Sequence, residues 1–236
     1  MVSCSLRFRF GWVFAVLLLG SAVFPSVSAA QSSTEGGPLD DALVRVDSLR
    51  GDGAFQEAFS RLSTLRDERG KEVGILWRMS LTQVDVAKTA KGRETVKEHY
   101  RQALTLADAA LAADTMNAHA HLAKAVAEGR IALDAGTKER VQRSRAVKAH
   151  ADRAIELDST LDGAYHTRAR WHREVADLGF LERAFVKAVY GGLPKASFEQ
   201  AVQDFKRAIE LHQERFHHLE LAKTYLKMGQ DEDEIG

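Results

Sequence analysis

The stretch 190–198, YGGLPKASF, contains the residue types of a phosphate-binding loop: two glycines, a lysine and a serine. Such a loop needs a strand before it, a glycine directly before the lysine, and Ser or Thr directly after the lysine. Here Pro194 precedes Lys195, Ala196 separates Lys195 from Ser197, and the preceding LERAFVKAVY has a helical pattern. We therefore interpret the stretch as a turn between two helices, with the lysine a surface charge and the serine a helix cap.

Nine histidines would suit a metal site if two of them shared one face of a helix. Sharing a face requires a separation of three or four residues. His166 and His172 are six residues apart, and His217 and His218 are adjacent. The spacing favours solvated or interhelical histidines, so we predict no metal site.

The remaining residue types form no catalytic motif. The chain has one cysteine, Cys4, and contains neither G-x-S-x-G nor HExxH. Carboxylates such as Asp152, Glu156 and Glu174 lie among basic neighbours, which is typical of ion pairs on a polar helix face. We predict that the protein is not an enzyme and has no cofactor. We rank a metal-dependent hydrolase third, below a binding protein and a membrane-held structural protein.

A row of basic side chains is the best candidate for recognition. His166, Arg170 and Arg173 are spaced four and three apart, so they share one side of a helix. Such a row would bind a carboxylate or an acidic peptide. Lys223 and Lys227 have the same spacing on a later segment. The alternative is that all five only keep the surface soluble.

These side chains must be positioned by helices, because strand-like alternation is missing and Pro194 is the only proline after residue 38. Breaks at glycine and aspartate predict helices near 39–50, 53–68, 71–89, 94–113, 117–134, 138–157, 161–178, 180–190, 197–211 and 216–229.

The segment 197–211 shows the helical pattern most clearly. Its apolar residues recur at intervals of three and four, from Phe198 to Ile209, and make one stripe. Ser197 and Gln200 predict a capping box at the start, in which the serine accepts from a helical N–H and the glutamine reaches back.

Internal repeats organise the chain. The sequence RAIEL occurs at 153–157 and at 207–211, and ADAALAADT at 107–115 aligns with ADRAIELDS at 151–159. The repeated unit is a helix, a turn and another helix. Alanines recur within it at 110, 154 and 208, and small residues there let neighbouring helices approach closely. The pattern predicts an α-solenoid.

The repeats resemble tetratricopeptide hairpins, whose second helix carries an A-x3-F-x2-A pattern. Ala201, Phe205 and Ala208 match it, and HLELAKTYLKMGQ at 218–230 is similar to a first helix. The run from YHTRARWHREVADLGF to KASFEQAVQDFKRAIEL at 165–211, with ILWRMSLTQVDVAK at 75–88 and GTKERVQRSRAVKAHADRAIELD at 136–158, resembles the regulator of microtubule dynamics family, a divergent tetratricopeptide-like group.

The resemblance implies an all-α solenoid of tetratricopeptide-like antiparallel helical hairpins. It also implies a non-enzymatic scaffold that binds a protein or peptide in its concave groove, with microtubule association in the animal members. We carry over the fold and the general binding role. Microtubule binding is not expected, because the N-terminal sequence of the chain predicts an exported prokaryotic protein.

The N-terminal segment predicts export. Arg7 and Arg9 precede the apolar run FGWVFAVLLLGSAVF, and SVSAA follows, which is the layout of a secretory signal cleaved after Ala29 or Ala30. Cys4 lies inside the predicted signal, so the mature chain would have no cysteine. Export of a chain without cysteine fits a periplasm or cell surface. The alternative is an uncleaved anchor, which would make the protein a membrane-held structural or assembly protein.

Charge argues against nucleic acid as a partner. The chain balances 33 Lys+Arg against 33 Asp+Glu, and removing the signal takes away two basic residues, which leaves a net charge of about −2. We therefore predict a protein or peptide partner.

The sequence divides into a signal at 1–30, a polar linker at 31–38, the helical domain at 39–229 and an acidic tail at 230–236. Acidic residues oppose the dipole at a helix C-terminus, so we expect the tail to fray. Because no second helix is predicted after Gly229, we expect either a truncated chain or a last helix that forms an open edge and exposes Leu221 and Tyr225.

Overall fold

The computed structural model describes residues 37–235, with side chains described up to residue 229. The described residues form ten α-helices: Pro38–Gly51 (α1), Phe55–Arg69 (α2), Val73–Ala87 (α3), Arg93–Ala113 (α4), Ala118–Ala132 (α5), Thr137–Leu157 (α6), Asp162–Ala176 (α7), Phe180–Tyr190 (α8), Phe198–Leu211 (α9) and Arg215–Ile235 (α10). The predicted signal at 1–30 and most of the linker lie outside the described residues. Within the described part, no helix has the length and apolar character needed to cross a membrane.

The helices pack as successive hairpins. α1 packs on α2, α3 on α4, α5 on α6, and α7 on α9, and the second helix of each hairpin contacts the first helix of the next. The first helices also contact one another in the order α1, α3, α5, α7 and α10. This confirms the predicted all-α, tetratricopeptide-like solenoid. The extra helix α8 lies between α7 and α9 in the chain and packs on α6.

Small residues make the close helix contacts, as the repeats predict. Ala110, Ala154 and Ala208 occupy corresponding positions in α4, α6 and α9 and are fully buried. Larger side chains such as Leu62 of α2 and Phe205 of α9 are also fully buried. The core therefore runs as a series of clusters along the hairpins.

The turn at 190–198 has the predicted geometry at its glycines. Gly191 ends α8 in the left-handed region, with φ of 78°, and Gly192 has φ of 85°. The Ser197 Oγ accepts from the Gln200 backbone N–H at 3.2 Å, which confirms the cap. The reciprocal half of the capping box is wrong, because the Gln200 side-chain amide donates to Gln203 one turn further along.

The last helix differs from the prediction. α10 continues through Gly229 to Ile235, where the sequence predicted an end at 229 and a frayed acidic tail over 230–236. An isolated glycine costs a helix only about 1 kcal/mol, and the following segment contains no proline to stop it. On the preceding turns His217 and Thr224 are buried, Tyr225 is exposed as expected, and Leu221 is half-buried.

Candidate partner-binding site

The five predicted site residues lie on two neighbouring first helices. His166, Arg170 and Arg173 belong to α7, and Lys223 and Lys227 belong to α10. Because α7 contacts α10, the fold brings the two groups together along one seam. We call this the α7–α10 seam.

Glu220 of α10 lies at the centre of the seam. Its Oε2 is 2.7 Å from Arg173 Nη2 and 3.8 Å from Arg170 Nε, and its Oε1 accepts from Lys223 Nζ at 2.8 Å. Burial opposes ionisation of this carboxyl group, but the interactions with Lys223, Arg173 and Arg170 outweigh it and lower its pKa to about 2. Three of the predicted basic residues therefore already surround a carboxylate of the same chain.

Arg173 differs most from its predicted role as a groove-lining side chain. Its side chain is only 5% exposed, and its Nη1 donates to the Glu220 backbone carbonyl at 3.2 Å. Its Nη2 also pairs with Glu174 at 3.1 Å. Through these contacts the buried guanidinium group of Arg173 holds α10 against α7. Lys227 likewise pairs with Asp177 at the end of α7.

His166 takes part in packing between the same helices. Its Nδ1 lies 2.9 Å from the Nδ1 of His217, whose Nε2 lies 2.9 Å from Asp162. The rings of Phe205 and Phe216 contact His166 edge-on. Burial, followed by the charges of His217 and Arg170, lowers the pKa of His166 to about 3. The ring is therefore neutral near pH 7, and it contributes no positive charge to the predicted row.

Among the described residues, no group of three His, Cys, Asp or Glu side chains has an arrangement that would hold a metal ion. The histidines meet in pairs across helices instead, as His121 and His150 do with Nδ1 atoms 2.9 Å apart. These contacts join helices that are far apart in the sequence, so spacing within one helix could not reveal them.

Arg170 and Lys223 remain accessible. Their side chains are 36% and 51% exposed. Burial, followed by repulsion from Arg130 of α5, lowers the pKa of Arg170. Arg130 is half-buried, and within the described chain neither it nor Arg170 makes a hydrogen bond. Three neighbouring first helices thus carry basic groups, and sequence spacing had not selected Arg130.

A second polar seam joins α1 to α3. Arg78 Nε and Nη2 donate to the Asp47 carboxylate at 2.9 to 3.0 Å, and its guanidinium lies over the Trp77 ring. The ring of His119 of α5 stacks on Trp77 with centroids 4.5 Å apart. Trp171 is also buried and donates to Ser144. Trp77 and Trp171 therefore belong to the packing between helices.

The comparisons agree with this architecture. The family model "Regulator of microtubule dynamics protein 1-3" matches residues 42–235. Human regulator of microtubule dynamics protein 2 is 25% identical over 90% of this chain and 52% of its own length. The corresponding protein 1 of mouse is 25% identical over 94% of this chain and 73% of its own length. For the protein 3 of Xenopus laevis the identity is 29%, over 74% of this chain and 39% of that protein.

Among solved structures, a thermophilic tetratricopeptide protein of Thermus thermophilus superimposes with a TM-score of 0.56 at 15% identity, covering 82% of this chain and 84% of that one. This likeness supports the fold alone. The chain spans about half the length of the first relatives it matches. Because the family model covers the whole helical domain, the chain belongs to the regulator of microtubule dynamics protein 1-3 family.

Proposed function

We propose that this protein is a non-enzymatic scaffold that binds an acidic protein or peptide along the face formed by its first helices, which we call the first-helix face. The face is lined by α3, α5, α7 and α10, which contact one another in sequence. A surface of this kind presents side chains from several helices to one extended ligand.

The observation that carries the proposal is a pair of half-buried arginines, Arg130 and Arg170, that make no hydrogen bond within the described chain. Burial is the first cause that lowers the pKa of Arg170, and repulsion from Arg130 is the second. The nearest carboxylate oxygen, Oε2 of Glu220, is 3.8 Å from Arg170 Nε and already pairs with Arg173, while Lys223 pairs with Oε1 of the same group. A carboxylate from a partner would relieve this repulsion and accept hydrogen bonds from both arginines.

The polar clusters also support a role without catalysis. A catalytic group must be available to a reacting molecule at hydrogen-bond distance. His217 of α10 hydrogen-bonds both His166 and Asp162 of α7, and Arg173 is enclosed by Glu220 and Glu174. These groups hold helices together. We therefore propose that the exposed surface serves recognition and not catalysis.

We propose further that the protein is exported to the periplasm or cell surface after cleavage following Ala29 or Ala30. The names of its relatives refer to microtubule dynamics, and we do not extend that role to a chain whose sequence predicts export. The alternative, a membrane-held assembly protein, predicts an uncleaved N-terminus. N-terminal sequencing of the native protein distinguishes the two, because an intact Met1 in the membrane fraction would favour the anchor.

The binding proposal is tested with a fluorescent peptide of alternating Glu and Ala and its Gln counterpart. Anisotropy should show that the Glu peptide binds and that Arg130→Glu/Arg170→Glu weakens it by about tenfold or more, since each reversed charge costs about 1 kcal/mol. The matched control, Lys138→Glu/Lys206→Glu, reverses two exposed charges on α6 and α9 and should bind as the wild type does. Equal binding of the Gln peptide, or equal effects of the two double variants, would refute the proposal.

A further inference from the structure

A cleft of about 630 Å³ lies outside the first-helix face. It is formed by the C-terminal end of α7, by α8 and by the turn 191–197 that leads into α9. The cleft includes the glycine, proline and lysine residues whose spacing failed the test for a phosphate loop. The turn therefore joins two helices and also forms one wall of the cleft.

Two arginines hold the walls of the cleft in place. Arg183 Nη2 donates to the carbonyls of Ala176 and Leu178 at 2.7 and 2.9 Å, which fixes the start of α8 to the end of α7. Arg145 of α6 donates to the carbonyl of Gly192 at 2.6 Å and to that of Tyr190, which fixes the turn. The cleft is therefore formed before any ligand arrives, and this reduces the entropic cost of binding.

The walls are apolar and the charges around them are positive. The apolar side chains that line the cleft are Val175, Leu178, Val186, Leu193 and Pro194. Lys187 and Lys195 are exposed and have no ion-pair partner within the described chain, and none of the residues that line the cleft is acidic. An apolar body with an anionic group complements this combination.

His172 supplies an unpaired polar group to the same cleft. The residue is 6% exposed, and its buried Nδ1 has no hydrogen-bond partner in the described part of the chain. Burial is the first cause that lowers the pKa of His172, so the ring is neutral near pH 7 and offers one donor and one acceptor. Buried ring nitrogens are usually hydrogen-bonded, which makes His172 the group that a polar ligand atom would pair with.

We propose that the cleft binds a small carboxylic acid with an apolar body. Its carboxylate lies between Lys187 and Lys195 and accepts a hydrogen bond from the neutral His172 ring, and its apolar part packs against Val175 and Val186. Phosphate alone would use the lysines but would leave the apolar walls in water. An amine with an apolar body would be repelled by the two lysines. This site uses different side chains from the first-helix face, so either proposal stands if the other fails.

The test uses three probes with one body and different head groups: 4-phenylbutyrate, 4-phenylbutanol and 4-phenylbutylamine. In ¹H–¹⁵N NMR spectra of the full chain, the butyrate should shift the amides of the turn 191–197 and saturate with a Kd of about 1 mM or tighter. The alcohol and the amine should bind at least about tenfold more weakly, because they lack the attraction to two lysines.

Variants of the protein test whether the butyrate binds in the cleft. Lys187→Glu/Lys195→Glu should weaken butyrate binding about tenfold or more, whereas Lys138→Glu/Lys206→Glu, outside both proposed sites, should leave it unchanged. His172→Phe keeps the ring size and removes both nitrogens, and it should also weaken binding; the lysine variants answer the question if this one fails to fold. The proposal is overturned by the absence of saturable shifts, by equal binding of the alcohol, by inorganic phosphate binding as tightly, or by no effect of lysine reversal.

Discussion

Replacing Glu220 by glutamine tests whether the α7–α10 seam holds the last helix in place. The substitution keeps the size of the side chain and removes its charge. Arg173, whose side chain is 5% exposed, then keeps only Glu174 as a carboxylate partner. Breaking a buried ion pair by removing one partner costs about 3 to 5 kcal/mol. The remaining contacts with Glu174 and with the Glu220 backbone carbonyl reduce the expected loss to about 2 to 3 kcal/mol.

The pKa of Glu220 gives a second route to the same magnitude. The fall from an ordinary value of 4.5 to about 2 corresponds to about 3 kcal/mol at most, and solvent screening at this partly exposed carboxylate reduces it to about 2 kcal/mol. Because the folded pKa lies below the unfolded one, the contribution is complete above pH 4.5 and is lost as the pH falls toward 2. The difference in stability between wild type and Glu220→Gln should therefore shrink over that range.

The assay is urea unfolding of both proteins from neutral pH down to acid, followed by circular dichroism. Glu210→Gln is the matched control, since Glu210 pairs with Arg207 on an exposed face of α9 and its loss should cost about 0.5 kcal/mol or less. A double-mutant cycle with Arg173→Met should give a coupling energy of about 2 kcal/mol. Equal losses for Glu220→Gln and Glu210→Gln, or a difference that does not change below pH 4.5, would refute the reasoning.

Three further predictions concern single side chains. His166→Asn should flatten the rise of stability with pH between about 3 and 6.5, by about 5 kcal/mol at most, because the unfolded histidine binds a proton that the folded one excludes. Urea midpoints across that range measure the effect. Phe205→Ala should cost about 4 kcal/mol in thermal or urea unfolding, and the exposed Lys206→Ala about 0.5 kcal/mol or less; similar values for both would contradict the burial of Phe205. Ser197→Ala should cost about 1 kcal/mol and Ser197→Asp almost nothing, and equal losses would show that the cap hydrogen bond contributes no stability.

The sequence predicts the helices well because their ends depend on local features. Glycines and aspartates separate the apolar stripes, so α8 at Phe180–Tyr190 coincides with its predicted bounds and α9 begins one residue after its serine cap. The predicted end of α10 was wrong because it, too, depended on a local feature. Gly229 looked like a stop, yet nothing after it breaks the helix before Ile235.

The candidate site could be predicted only in part. Spacing within α7 showed that Arg170 and Arg173 share a side, but it could not show that Glu220 lies opposite them, since that depends on how two helices align. Burial then separates the two arginines, because Arg173 is enclosed and Arg170 is half-exposed. The unpaired nitrogen of His172 is equally invisible in the sequence, because a missing partner can be recognised only when the surroundings are known.

Directional contacts and alanine contacts have different roles in this solenoid. The buried Ala154 and Ala208 let helices approach, but contacts between methyl groups fix neither the rotation nor the sliding of one helix against another. Arg168 does fix both, because its Nε and Nη2 donate to the two oxygens of the buried Asp204 at 2.8 and 2.7 Å. Arg173 holds α10 through one carboxylate oxygen of Glu220, at 2.7 Å, and through the backbone carbonyl of the same residue. Ion pairs that set the alignment are enclosed between helices, so the proposed recognition would use the half-exposed charges beside them, such as Arg170.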